Sequence, residues 1–278
     1  MALSVHTNQA ALIALQNLNK TNESLGDVQT RISTGMKVNN AKDNASVWAI
    51  AQGQRADIGA LGAVKTSLDR ARSIADVSMT AGETISDLLV QLKEKVVGAM
   101  DTSIDTASRT ALDSDFKSIL RQITQVAGNA EFDGANLLNG SLSTNLKFIA
   151  NASANAYITL SNQNLSLGGS IISVASTASL GTITFATSIL AQLDTSLGAV
   201  NQALGNLGSQ AKQITAHAEF VSKLTDVLTT GVGNLVDADL AKESARLQAL
   251  QVQQSLGTQA LSIANQAPQV ILQLFRGG

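Results

Sequence analysis

The chain has 278 residues, 14% of them charged, a formal net charge of −2, one proline, 3% aromatics and no cysteine. That length suits one large domain or two small ones, and the missing cysteine excludes a disulfide framework, a thiolate metal site and a cysteine nucleophile. The near-neutral balance gives no electrostatic case for nucleic acid or an anionic membrane, and few aromatics with much Ala, Leu, Gln and Ser suit long helices packed through small side chains.

From Val5 to Ile32, apolar residues recur at Ala11, Leu15, Leu18, Leu25, Val28 and Ile32, with Gln9, Gln16, Lys20, Glu23 and Asp27 opposite them. These steps of three and four place one apolar stripe along a helix. The helix breaks at Gly35 and the chain passes through Asn39-Asn-Ala-Lys-Asp-Asn44. Helical character returns near Trp48, the only tryptophan, with Asn44 or Ser46 available as a cap. Trp48 reads most simply as a core anchor.

A second helix is expected from about Ser46 to Met100, carrying Ile58, Leu61, Val64, Leu68, Ile74 and later apolar positions. Unbroken, it would be roughly 80 Å long, which argues for a rod. Asp101 to Thr106 reads as a loop, and a third helix is expected from about Ser108 to Gly128. Phe132 to Gly140 is turn chemistry, with Asp-Gly and Asn-Gly both present.

Between Asp133 and Asp194 the only charged residue is Lys147. Short alternating or apolar runs there (146–149, 157–160, 165–167, 171–174 and 183–185) read as small β-hairpins joined through Gly168-Gly169. A low-complexity loop is the alternative reading. Helix returns from about Ser188 to Gly231, and Gly231-Val-Gly-Asn234 is expected to break it. A last helix carries Val236, Leu240, Leu247, Leu250, Val252, Leu256, Ile263, Val270 and Leu274, with Pro268 near its end. The fold class is therefore mainly α: a long antiparallel helical rod or coiled coil with a small β-hairpin region.

No catalytic, cofactor or metal site is expected. His6 and His217 lack metal-ligand spacing, and no H-E-x-x-H, P-loop, G-x-G-x-x-G or G-x-S-x-G occurs. Asp237, Asp239 and Glu243 read as first-turn carboxylates complementing a helix dipole, with a cation site as the second choice. Asn-x-Ser triplets, among them those at Asn44, Asn151 and Asn164, read as chance in a chain this rich in Asn and Ser. No run reaches the eighteen or so apolar residues of a membrane span. The N-terminus has no basic residue before Lys20, so a cleavable secretory signal is not expected.

Two stretches carry a resemblance. Thr30–Gln52, TRISTGMKVNNAKDNASVWAIAQ, resembles the N-terminal signature of bacterial flagellins. Asn234–Arg276 resembles their C-terminus, through Asp237, Asp239, Glu243, Gln251, Gln253, Asn265, Gln266, Pro268 and Gln269; the Phe132-Asp-Gly and Asn139-Gly turns match between them. The resemblance implies a short flagellin without large outer domains: a non-enzymatic, extracellular subunit of the bacterial flagellum that polymerises with itself. It implies N- and C-terminal helices paired as an inner tube (1–44 and 236–278) and an outer rod over 45–235, with the β region at about 141–187. Implied partners are hook-junction and cap proteins and an export chaperone, with export through the flagellar type III apparatus and no membrane insertion. A hook–filament junction protein and a non-polymerising helical adaptor are the alternatives.

The terminal stripes are poor in large side chains, so one such hairpin buries too little to offset the ordering of its backbone. Neighbouring copies are expected to cover Leu15, Leu18, Leu25, Ile32, Leu247, Val252, Leu256, Ile263 and Leu274. The uncharged middle faces solvent in the family, which implies O-glycosylation among Ser153, Thr159, Ser161, Ser170, Ser173, Ser176 and Thr177. Many flagellins are sensed by a Toll-like receptor through an Arg, a Leu and a Glu. Here the matching positions are Gln91, Lys95 and Asp115, which implies weak recognition.

Overall fold

A computed structural model describes residues 8–276, with side chains as far as Gln266; His6 and the side chain of Leu274 lie outside the described residues. The order is α1 (Gln9–Thr34), α2 (Ala45–Ala99), α3 (Thr106–Asn129), β1 (Leu146–Ile149), β2 (Tyr157–Leu160), α4 (Ile183–Val236) and α5 (Leu240–Arg276). The chain divides into two compact units, one from Met1–Ala56 with Val227–Gly278 and one from Asp57–Asp226.

In the second unit, buried positions on α2 alternate in steps of three and four, from Leu61, Val64, Leu68, Ala71, Ala75 and Ser78 onward to Ala99. That is a seven-residue period, the pattern that wraps helices in a left-handed supercoil. The matching seam on α4 includes Leu193, Val200, Leu207 and Ile214, all fully buried. The helices run antiparallel: Lys93 pairs with Asp194 at 2.6 Å, while Leu68 lies beside Ile214. By length and composition α4 passes as a membrane-crossing helix, which the count of consecutive apolar residues missed. On this helix Ile189, Leu193, Leu207 and Ile214 are buried in the protein core, while Leu190, Leu197, Leu204, Leu224 and Leu228 are half-buried. Phe116, Ile119, Leu120, Ile123 and Ala127 form the buried stripe of α3, and Asp105 caps its start by accepting from Ser108 N at 2.7 Å.

The β region is smaller than the runs suggested. β1 and β2 pair antiparallel, with Leu146 opposite Leu160 and Ile149 opposite Tyr157. The 165–167 and 171–174 runs yield a single bridge, Leu167 with Ile172. Ile183-Thr-Phe is the first turn of α4, because the Thr182 hydroxyl accepts from Phe185 N and starts the helix ahead of Ser188. His217 is half-buried, with its Nε2 2.6 Å from the Ala150 carbonyl oxygen at the hairpin end.

In the first unit α1 ends at Gly35, whose φ of 71° suits the left-handed stop of a helix. Asn44 starts α2, its Oδ1 accepting from Val47 N at 3.1 Å. The second break is displaced from its expected place. Gly231-Val-Gly-Asn234 stays helical to Val236, and the chain turns at Asp237–Asp239. Asp239 Oδ1 accepts from Ala241 N and Lys242 N and so starts α5. The two breaks are stitched together: Lys37 N donates to Val236 O at 2.7 Å and Ala238 N to Gly35 O at 2.8 Å. Pairing between the breaks, which no local sequence signal reports, fixes where α4 ends. Trp48 is only half-buried on α2, so it is not the expected core anchor.

Candidate assembly surface

α1 and α5 pack as an antiparallel pair. On α1 the inward positions are Ala11, Ala14, Leu18, Thr21, Leu25, Val28 and Ile32, again at steps of three and four. Only Val28 among them is fully covered, at 2% exposure. On α5 the facing positions run from Glu243 through Leu247, Leu250, Gln254, Gly257 and Leu261 to Ala264. Four contacts hold the register. Arg31 Nη1 lies 3.5 Å from Glu243 Oε1; Gln254 Nε2 donates to Asn22 Oδ1 at 2.8 Å. Leu18 packs against Gly257, where a Cβ would meet its Cδ1 at 3.3 Å. Asn8 caps α1 through Ala11 N and donates to Ala264 O at 2.7 Å.

Of the acidic trio, Glu243 lies in the expected first turn of α5, while Asp239 is its cap and Asp237 precedes it in the break. Glu243 is 8% exposed and turned toward Arg31, with Oε2 lacking a hydrogen-bond partner. Among the described residues there is no group of three or more His, Cys, Asp or Glu able to hold a metal ion.

What α1 and α5 leave uncovered is apolar. Leu12 and Leu15 on α1 are 57% and 43% exposed, and Val252, Leu256 and Ile263 on α5 are 60%, 59% and 69% exposed. A shallow groove of about 470 Å³ runs between the helices, lined mainly by Ala10, Ile13, Ala14, Ala260, Ile263 and Ala264. The expected interface residues therefore separate into two sets. Leu18, Leu25, Ile32 and Leu247 are half-buried in the seam inside the chain, while Leu15, Val252, Leu256 and Ile263 face outward. A stripe read from apolar spacing alone merges the two faces of α5.

In the second unit Gln91 is exposed and Lys95 pairs with Asp115 at 3.1 Å, so two of the three expected receptor positions neutralise each other across α2 and α3. Ser153, Thr159, Ser170, Ser176 and Thr177 are exposed. Ser161 Oγ is half-buried and accepts from Gln210 Nε2, and Ser173 Oγ, though its residue is exposed, lies 3.3 Å from Ser196 Oγ. Asp113 of α3 reaches the end of the β region, where its Oδ1 accepts from Ser179 Oγ at 2.9 Å and Leu180 N at 2.7 Å. Its Oδ2 accepts from Lys117 Nζ at 2.6 Å. Burial raises the pKa of Asp113, but these donors outweigh it and hold the carboxyl below its ordinary value. Asp101 and Asp105 are also lowered, chiefly by hydrogen bonds from Ser103 and Ser108 respectively.

Residues 5–143 match the family model described as the bacterial flagellin N-terminal helical region, and residues 190–275 match the bacterial flagellin C-terminal helical region. The chain is 56% identical to flagellin FljJ of Caulobacter vibrioides, with the whole of both chains covered. It is 40% identical to a flagellin of Brucella melitensis over 99% of each chain. In fold it resembles a flagellar hook-associated protein of Vibrio parahaemolyticus with a TM-score of 0.59 and 12% identity, covering 70% of this chain and 100% of that one.

Proposed function

The chain belongs to the bacterial flagellins, and from its geometry we propose how this subunit of the extracellular flagellar filament meets its neighbours. The carrying observation is the outward apolar face of the α1–α5 pair. Leu12, Leu15, Val252, Leu256 and Ile263 are exposed on a pair whose own seam is only partly closed. Side chains of that size each gain roughly 1.5–3 kcal/mol on full burial. Covering them with another copy stabilises both the pair and the contact between copies. Leu18, Leu25, Ile32 and Leu247 act one step removed, by holding α1 and α5 together.

In this reading residues 1–44 and 236–278 are the segments packed between copies, and 45–235 carries the solvent-facing β region. Torque passes along the polymer and no chemistry is asked of the chain. Hook-junction and cap proteins meet the same terminal segments at the two ends of the filament, and an export chaperone covers them before assembly. Gln91, Lys95 and Asp115 make the subunit a weak ligand for the flagellin-sensing Toll-like receptor, and the exposed hydroxyls of 141–190 accept O-linked sugar where the host has the transferase.

The test is light scattering of purified monomer seeded with filament fragments, beside a variant lacking residues 1–40 and 240–278. Seeded growth by the full chain alone and none by the truncated chain is expected. Filaments from the truncated chain, or none from the full chain under any seeding, would overturn the reading.

A further inference from the structure

α5 carries two seams. The first faces α1 and includes Leu250, Gln254, Gly257 and Leu261. Moving two residues along from each of its positions gives Ala245, Ala249, Val252, Leu256, Gln259 and Ile263, all exposed. Two residues are about 200° of turn on an α-helix, so this second set lies on the opposite side and keeps the same alternation of three and four. A seven-residue repeat of apolar side chains is the pattern of a helix packed on a helix. The described part of the chain offers no element to fill it.

The face also has a distinctive chemistry. No Lys, Arg, Asp or Glu occurs from residue 247 to 275, and none from residue 1 to 19. A charged partner would leave its ions unmatched there, whereas a second copy of this chain brings an uncharged helix face of its own. That face is Leu12 and Leu15 of α1, followed on the same side by Asn19, which is exposed.

The second seam is apolar until Gln259, and one heptad later Gln266 occupies the equivalent place, also exposed. In the first seam the glutamine at 254 is met by an amide, Asn22, at 2.8 Å. A glutamine in a helix seam opposes any register that buries it against leucine and favours the one that gives it an amide. We propose that Gln259 and Gln266 set the axial register between neighbouring copies, lying in a second seam of α5 that receives the Leu12–Leu15 face and Asn19 of a second copy. This rests on the assembly reading above and adds to it the residues that choose one stacking from several apolar ones.

The experiment uses the full-length chain, polymerised from seeds and imaged by electron cryomicroscopy, with the axial subunit spacing and the critical concentration as readouts. Leu256→Asp tests the seam itself. It should abolish growth at concentrations where the parent assembles, with the helical circular dichroism of the monomer unchanged; growth equal to the parent would overturn the seam. Gln259→Leu with Gln266→Leu tests the register. That variant should still polymerise, with a critical concentration lowered about tenfold because two polar groups leave an apolar contact, but its filaments should show several axial spacings. Gln259→Asn with Gln266→Asn should restore one spacing, which a role in packing volume alone would not do. A single parental spacing in the leucine variant, or its failure to form filaments, would overturn the register role while the Leu256→Asp result still reports on the seam.

Discussion

Asp113 ties α3 to the segment entering α4, and replacing it should destabilise the subunit in a way that depends on pH. Its carboxylate takes two hydrogen bonds from residues 179 and 180 and an ion pair from Lys117, with its side chain 14% exposed. Lys117 is 44% exposed, so water screens that pair and it contributes under about 1 kcal/mol. Hydrogen bonds to a charged acceptor contribute about 1.5–3 kcal/mol, against about 0.5–1.5 for neutral ones. Asp113→Asn keeps an acceptor oxygen and loses the charge, so about 1–2 kcal/mol is expected. Asp113→Ala leaves the Leu180 N–H without its acceptor beside a fully buried side chain, and about 3 kcal/mol is expected. Because the folded pKa lies below 3.8, the contribution is complete above the unfolded value and is lost as pH falls through the folded one. Urea unfolding of dilute monomer, followed by circular dichroism, should therefore separate parent and Asp113→Asn at pH 7 and bring them together in strong acid. Equal stabilities at pH 7, or a gap that persists unchanged near pH 2, would refute the reasoning.

In the full-length monomer, amide exchange should be fast in α1 and α5, where among the described residues only Val28, Glu243 and Leu250 are buried, and slow from about 55 to 130; uniform protection would contradict this. A receptor reporter assay should find the parent weak and the Gln91→Arg, Lys95→Leu variant stronger by roughly a thousandfold, from two hot-spot contacts of about 2 kcal/mol each. Strong signalling by the parent would remove that proposal. Subunits from filaments of the native host should exceed the bare chain's 28.8 kDa by whole sugar increments, mapped to Ser153, Thr159, Ser170, Ser176 or Thr177 ahead of Ser161 and Ser173, whose hydroxyls are engaged. An intact mass equal to the bare chain would exclude the modification.

Residue spacing alone determined a good deal about this protein. The three-and-four steps of Leu61, Val64 and Leu68 mark α2 as a packed helix, Gly35 marks the end of α1, and the stretch after Asp133, charged only at Lys147, marks the β region, because each rests on local backbone preference or on a periodic face. Only the tertiary structure decided which apolar residues are already covered. Leu250 and Val252 are two positions apart in one stripe, yet one is 8% exposed and the other 60%, because α1 lies against one side of α5 and nothing among the described residues lies against the other. The same holds for polar pairs: Gln254 with Asn22, Arg31 with Glu243 and Lys95 with Asp115 join residues far apart in sequence or on different helices. Local propensity acts over a turn or two of helix, while burial and pairing depend on the distant segment that arrives there.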